Sequence, residues 1–372
     1  MADGPDGPLP EPEAVAAAVG ADTAEVLLGW VVREPRWIRT TTFPVSTFLT
    51  GSGTRSAVGS GAVKAVPARL SAIPGLLAGR LTPDVLVVGA HETDSGFVLA
   101  HSPGFLHAAL RHARRVVVER WPGEPRPGAP RIAGNVVAVI DRVDPHDPVP
   151  DGRPGPEHRR IGDLVADLIP AGATVQWGPG VVGASVVASL RRPVKVRSGL
   201  VTDELVSLEH AGLLEAPAEA AYLWGGPALS SMVDEGRLRL CGVEVIHDIT
   251  AISSIERFVA INTALQVGLD GAANVETVAG RVVSGAGGHP DFAAGASRSP
   301  GGLSIVALPA TAGGRSSIVV APETVSTPRS DIDVVVTEFG TADLRGLDDR
   351  ERAERIIAIA APDHRDRLTA TI

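Results

Sequence analysis

Residues Ile161–Leu190 read IGDLVADLIPAGATVQWGPGVVGASVVASL, and their grammar sets the fold class. Ile161–Ile169 carries apolar residues at helical spacing, and Pro170–Gly172 breaks the run. Ala173–Trp177 (ATVQW) is expected as a strand, Gly178–Gly183 (GPGVVG) as a tight turn, and Ala184–Leu190 as the start of a second helix. A helix, a strand and a helix in this order mark an α/β protein with a largely parallel sheet.

The same grammar recurs on both sides. Upstream, Asp84–Ala90, Ala113–Glu119 and Asn135–Ile140 read as buried strands, with a helix over Phe105–His112 between the first two. Ala14–Gly29 repeats the helix–turn–strand–glycine unit loosely, which suggests a duplicated plan. Downstream, Arg237–Leu240 and Val243–Ile246 are expected to be extended. Phe258–Asn262, Ser304–Pro309, Ser317–Val320 and Asp333–Thr337 are strand-like apolar runs, and Asp348–Ala361 reads as a charged closing helix. Residues 143–160 (VDPHDPVPDGRPGPEHRR) hold five prolines and no apolar periodicity. That is linker composition. The expected plan is a disordered acidic tail over 1–12, one α/β domain over 13–150 and a second over 151–372.

Composition narrows the function. The chain has 372 residues, room for about two domains. A net charge of −9 and a pI near 5.6 speak against nucleic acid, whose phosphates demand a concentrated positive field. Aromatic residues are 3%, too few for stacking platforms along a single strand. One cysteine, Cys241, leaves no disulfide framework and no multi-cysteine metal site. No apolar run approaches the roughly 20 residues that span a bilayer, and Met1–Glu13 lacks the basic start and apolar core of a secretion signal. A cytoplasmic protein without metal or membrane partner is the expectation.

Three stretches could carry chemistry. Gly178-Pro-Gly180-Val-Val-Gly183 is a formal G-x-G-x-x-G between a strand and a helix. A dinucleotide site would also place an acid at the end of the next strand. That strand is expected at Val194–Val196, ending in Arg197 and Ser198, so an anion-cradling or purely structural turn fits better. Ser284–Phe292 (SGAGGHPDF) is a glycine run followed at once by a histidine and an aspartate. Successive backbone N–H groups in such a run can form an oxyanion nest, though most glycine runs are plain turns. Val259–Glu276 holds Asn262 and Asn274 on either side of Gln266, where asparagines are more often turn formers than ligands. G-x-S-x-G and H-E-x-x-H patterns are absent from the sequence.

At FVAINTALQVGLDGAANVE (Phe258–Glu276), SGAGGHPDFAAGA (Ser284–Ala296) and SIVALPATAGGRSSIV (Ser304–Val319), the chain resembles the acetyl-CoA hydrolase/CoA-transferase family, including the 4-hydroxybutyrate and acetate CoA-transferases. STPRSDIDVVVTEFGTADLRG (Ser326–Gly346) and ERAERIIAIAAPDHRDRL (Glu351–Leu368) extend the likeness, and Ile161–Gly180 is similar to that family's second-domain opening. The resemblance runs from about residue 80 to the end; the family's glycine-rich opening unit is shortened here. It implies two open α/β domains, a homodimer, and an acyl-CoA site in the cleft. Coenzyme A would enter as part of the substrate, with no tightly bound cofactor. It further implies a glutamate that attacks the thioester to give an acyl–glutamyl anhydride and then a glutamyl–CoA thioester. Gly285, Gly287 and Gly288 would help to bind CoA, together with Gly178 and Gly180.

The departures from that pattern matter most. The family's catalytic glutamate aligns with Gln266, the acid two residues on with Gly268, and the glutamine of the glycine turn with His289. A neutral amide forms no reversible anhydride. Losing a covalent nucleophile leaves roughly 10³–10⁴-fold catalysis from binding and the oxyanion hole, enough for slow attack by water but not for transfer through the enzyme. The expected chemistry is therefore hydrolysis, or acyl transfer or cyclisation within a bound thioester. His289 is the expected general base, because imidazole titrates near neutrality, with Glu276 or Asp291 orienting it. Alternatives are a conventional transferase that uses another acid, Glu276 or Glu244, and a non-catalytic CoA-binding protein.

Overall fold

A computed structural model describes residues 3–5, 7–100, 102–126, 128–142 and 152–372. Residues 143–151, the proline-rich core of the expected linker, lie outside the described residues. The main sheet has eight strands, from the edge Leu238–Leu240 through Ala218–Leu223, Lys195–Val201 and Thr174–Trp177 to Phe258–Asn262, Leu303–Ala307, Val334–Thr337 and Gly340–Asp343. All neighbours are parallel except the last pair. The central strands, Thr174–Trp177, Phe258–Asn262, Leu303–Ala307 and Val334–Thr337, are buried on both faces and read as mostly apolar runs rather than alternating ones. Before residue 143 the chain makes two smaller sheets. One is parallel and three-stranded (Val26–Leu28, Val45–Thr47, Val63–Ala65), and the other orders Gly96–Leu99, Val85–Thr93, Arg115–Arg120 and Val136–Asp141. The α/β class is as expected.

Several local expectations change. The helix expected from Ile161 begins at Pro156, whose missing N–H costs nothing in a first helical turn. The expected turn Gly178–Gly183 is shorter, because Val181–Ser189 is already helical. Its third glycine matters for packing: a Cβ on Gly183 would lie 2.1 Å from the Gly178 carbonyl oxygen. Val243–Ile246 is a short helix and not extended. The closing helix is two, Asp349–Ala358 and Pro362–Thr369, since Pro362 can start a helix but not continue one. The strand expected at Val194–Val196 continues to Val201, which places Arg197 and Ser198 within it and not at its end. The acidic start is not a loose tail at Asp3. That side chain is buried and accepts hydrogen bonds from the Trp30 and Phe105 amides and the Tyr222 hydroxyl.

One apolar core lies within the main sheet and the helices on one of its faces, including Trp177, Ile261 and Ile305. A second core crosses from one half of the chain to the other. Phe48, just after the strand Val45–Thr47, and Phe105, at the start of the helix Leu106–His112, pack with Phe258 and Phe292 from the later half, and the Phe48 and Phe105 rings meet edge to face at 6.0 Å. Fully burying such a ring is worth about 1.5–3 kcal/mol. The joint between the halves is thus core-like.

Candidate active site

In the eight-stranded sheet the strand order reverses between Thr174–Trp177 and Phe258–Asn262. In open α/β sheets the crevice beyond the carboxyl ends of strands at such a point is where ligands bind. Gly178 and Gly180 follow the first strand, and Asn262 ends the second. Gly180 has φ +103°, a conformation that glycine adopts freely, and it starts the helix Val181–Ser189. Beside this turn Gln176 Nε2 donates to Asn262 Oδ1 at 3.4 Å, while Gln176 Oε1 and Asn262 Nδ2 are buried with no protein partner. Groups in that state await water or a ligand.

The segment beyond Asn262 carries Gln266. Gln266–Gly268 pairs antiparallel with Ala273–Asn274, which sets Gln266 opposite Asn274, and parallel with Ile318–Val319. Gln266 is half-buried, and both ends of its amide are bonded. Its Oε1 accepts from Asn274 Nδ2 at 2.9 Å and from the Glu323 amide at 3.1 Å, and its Nε2 donates to Glu323 Oε1 at 3.5 Å. Asn274 is itself fixed, because its Oδ1 accepts from the Glu276 and Thr277 amides.

Glu323 escaped the reading of the sequence. It is exposed, and its carboxylate also accepts from the Ala279 amide at 3.1 Å and the Gly280 amide at 2.9 Å. Those amides come from the two-residue turn between Thr277–Val278 and Arg281–Val282. Both turn residues have positive φ, +51° at Ala279 and +70° at Gly280, as a type I′ hairpin turn requires. A non-glycine residue there costs of order 1–3 kcal/mol. The two amides, the Gln266 side chain and nearby Arg315 hold the Glu323 carboxyl below the usual range, with the amides foremost. No local motif announces this residue; it stands 57 positions from Gln266.

His289 and Asp291 occupy a different setting from the one expected. His289 opens the helix His289–Ala296, with its ring buried and Nδ1 2.6 Å from Thr327 Oγ1. Burial pushes its pKa down to about 4, so the ring is neutral at ordinary pH and does not titrate near neutrality. Neither Glu276 nor Asp291 orients it; Thr327 does. Glu276 Oε2 instead accepts from the Ser326 hydroxyl at 2.6 Å. Asp291 is fully buried at the joint between the halves, where it accepts from the Ser71 amide at 2.9 Å and the Ser71 hydroxyl at 2.6 Å. Arg69 lies 3.9 Å away and His247 3.7 Å. Burial raises Asp291 to about 6 against the pull of Ser71 and Arg69, and lowers His247 to about 3. Glu244 is engaged elsewhere, with His107 at 3.0 Å and Arg111 at 3.4 Å.

The glycine run answers first to packing. The Gly287 carbonyl accepts from the Leu70 amide at 3.0 Å, and a Cβ on Gly285 would lie 3.3 Å from the Phe48 carbonyl oxygen. A Cβ on Gly288 would meet the His247 ring at 2.2 Å. These residues therefore seat the loop Ser284–Gly288 against the first half of the chain. Among the described residues no cluster of metal-ligating side chains occurs, and no helix is long and apolar enough to cross a membrane.

Comparison with known proteins gives a consistent picture. Residues 226–372 match the family described as "Acetyl-CoA hydrolase/transferase C-terminal domain". The 4-hydroxybutyrate coenzyme A transferase of Clostridium kluyveri is 29% identical over 343 residues, covering 86% of this chain and 79% of that protein. The succinyl-CoA:cyclohexane-1-carboxylate CoA transferase of Geobacter metallireducens is 30% identical over 350 residues, covering 87% of this chain and 79% of that one. The crystal structure of RipA from Yersinia pestis superposes with a TM-score of 0.85 at 28% identity, over 99% of this chain and 92% of RipA.

Proposed function

The chain belongs to the acetyl-CoA hydrolase/transferase family, and from that premise we propose that it acts on an acyl-CoA thioester, with water as the acceptor and no glutamyl–CoA intermediate. In this reading the two working units are 13–150 and 151–372. Coenzyme A enters as part of the substrate and leaves as the free thiol, and the protein works as a cytoplasmic homodimer. The observation that carries the reading is the state of Gln266. Its side chain is a neutral amide whose oxygen and nitrogen are both held, by Asn274 and Glu323. An amide oxygen so engaged does not attack a thioester carbon, whereas water reaching the same carbon needs only a base and a stabilised oxyanion. Gln176 and Asn262, on the two strands where the sheet order reverses, offer the buried unpartnered polar atoms that a bound ligand would satisfy.

The test is release of free thiol from acetyl-CoA, butyryl-CoA and succinyl-CoA. Turnover with at least one of them is expected. No thiol from any of them would overturn the reading, whether or not calorimetry shows that CoA binds. Gln266→Glu sharpens it. The new carboxylate would stand against Glu323 Oε1, so one of the two acids would titrate above its usual range. Exchange of labelled acetate into acetyl-CoA, absent from the wild type, is expected in this variant.

A further inference from the structure

Among the described residues, the carboxylate hydrogen-bonded to Gln266 is that of Glu323. It is supplied by the loop after Ile318–Val319, which pairs with the Gln266 strand itself. The two residues grip each other reciprocally: the Glu323 amide donates to Gln266 Oε1, and Gln266 Nε2 donates to Glu323 Oε1. With Ala279 and Gly280 donating as well, three N–H groups fix the orientation of one carboxylate. Oε1 takes two of these bonds and Oε2 one, from Gly280. Oε2 thus keeps a lone pair, on a side chain open to solvent. Exposed valines follow the same stretch of chain, Val320 and Val325 on the Glu323 loop and Val278 beside the donor turn. Exposed apolar side chains beside a fixed charge suit a ligand that has an apolar portion and a polar reacting group.

We propose that Glu323 is a catalytic residue of the hydrolysis, the general base that takes a proton from the attacking water, with Gln266 positioning its carboxylate. This rests on the hydrolase reading above. The water's O–H proton passes to Glu323 Oε2 as its oxygen bonds to the thioester carbon. The tetrahedral intermediate then expels the CoA sulfur as the C–S bond breaks, and the sulfur takes the proton from Glu323 to leave as the thiol. The products are the carboxylic acid and CoA, and the enzyme returns to its starting state. A carboxylate held by three donors is placed to accept a proton from a water within about 2.6–3.2 Å.

The experiment compares wild type with Glu323→Gln and Glu323→Asp, using whichever of acetyl-CoA, butyryl-CoA and succinyl-CoA the wild type turns over fastest. General-base catalysis contributes about 10²–10⁴-fold, so Glu323→Gln is expected to lose that much kcat with KM nearly unchanged. Glu323→Asp is expected to retain part of the activity. A single turnover in 18O-labelled water is expected to place label in the product acid and none in the peptide that contains Glu323. Label in that peptide would show a covalent acyl–Glu323 and overturn the proposal, as would a Glu323→Gln enzyme of undiminished kcat. A wild type that binds CoA but releases no thiol would overturn the hydrolase reading and this proposal together.

Discussion

Two carboxylates, Glu323 and Asp291, are governed by opposite forces. Glu323 is exposed and held by the Ala279 and Gly280 amides, which keep it ionised. Asp291 is sealed at the joint between the halves of the chain, where loss of water outweighs its bonds to Ser71 and raises it to about 6. His289 and His247 share that dry setting and are held neutral by it. The difference teaches that hydrogen bonding alone does not say what an acid is for. At Glu323 the donors fix an anion at the surface, where substrate can arrive. At Asp291 the same kind of bonds tie two parts of the chain together, and the group is a clamp.

If Asp291 is a clamp, removing it should cost stability before anything else. Asp291→Ala would leave the half-buried Ser71 amide and hydroxyl without their acceptor and, at about 1.5–3 kcal/mol for each bond to a charged group, is expected to lose about 3–5 kcal/mol, read from urea unfolding. Asp291→Asn keeps an acceptor for Ser71 and should lose less. Equal losses in the two variants would break the contrast between a clamp and a working acid.

The buried histidines test the same contrast through pH. His289 titrates at about 4 in the folded chain against an ordinary 6.5, so below pH 6.5 the unfolded chain takes up the proton first. Its contribution, about 3 kcal/mol, is fully present above pH 6.5 and is lost as the pH falls towards 4. His247 acts in the same direction, and Asp291, whose folded value is raised, acts in the opposite one. His289→Gln is therefore expected to lose stability less steeply than the wild type between pH 6.5 and 4, in urea titrations at stepped pH. An unchanged slope would remove His289 from the dry region.

The smallest effect is expected at the loop that joins the two regions. Gly288→Ala would drive a methyl group into the buried His247 ring, 2.2 Å from Cε1, and is expected to cost about 1–3 kcal/mol in thermal or urea unfolding. A fully stable Gly288→Ala protein would show that the glycine run is free of the joint and open to ligands.

Much of the fold was legible because its signals are local. Phe258–Asn262 and Asp333–Thr337 are short apolar runs between breakers, and Ile161–Ile169 has a helical stripe. Val243–Ile246 misled because four β-branched or charged residues carry no period. Tertiary context winds them into a turn of helix, with the Val243 amide bonded to the Gly104 carbonyl. Asp3 misled because its Pro- and Gly-rich surroundings have linker composition, while its partners Trp30, Phe105 and Tyr222 lie far along the chain. The site was half legible. Gln266, Asn274 and the glycine run stand in contiguous stretches, whereas Glu323 belongs to the site only because the strand Ile318–Val319 lies beside Gln266–Gly268.

By itself the sequence determined the α/β class, the family, and the fact that position 266 bears no charge, since apolar period, motif order and residue identity are all written in consecutive letters. The tertiary structure decided which anion stands beside that position, that His289 is a neutral buried ring, and that Asp291 fastens the joint. Charge state and partnership depend on how much water is excluded and on which distant segment arrives, and both are set only when the chain closes on itself.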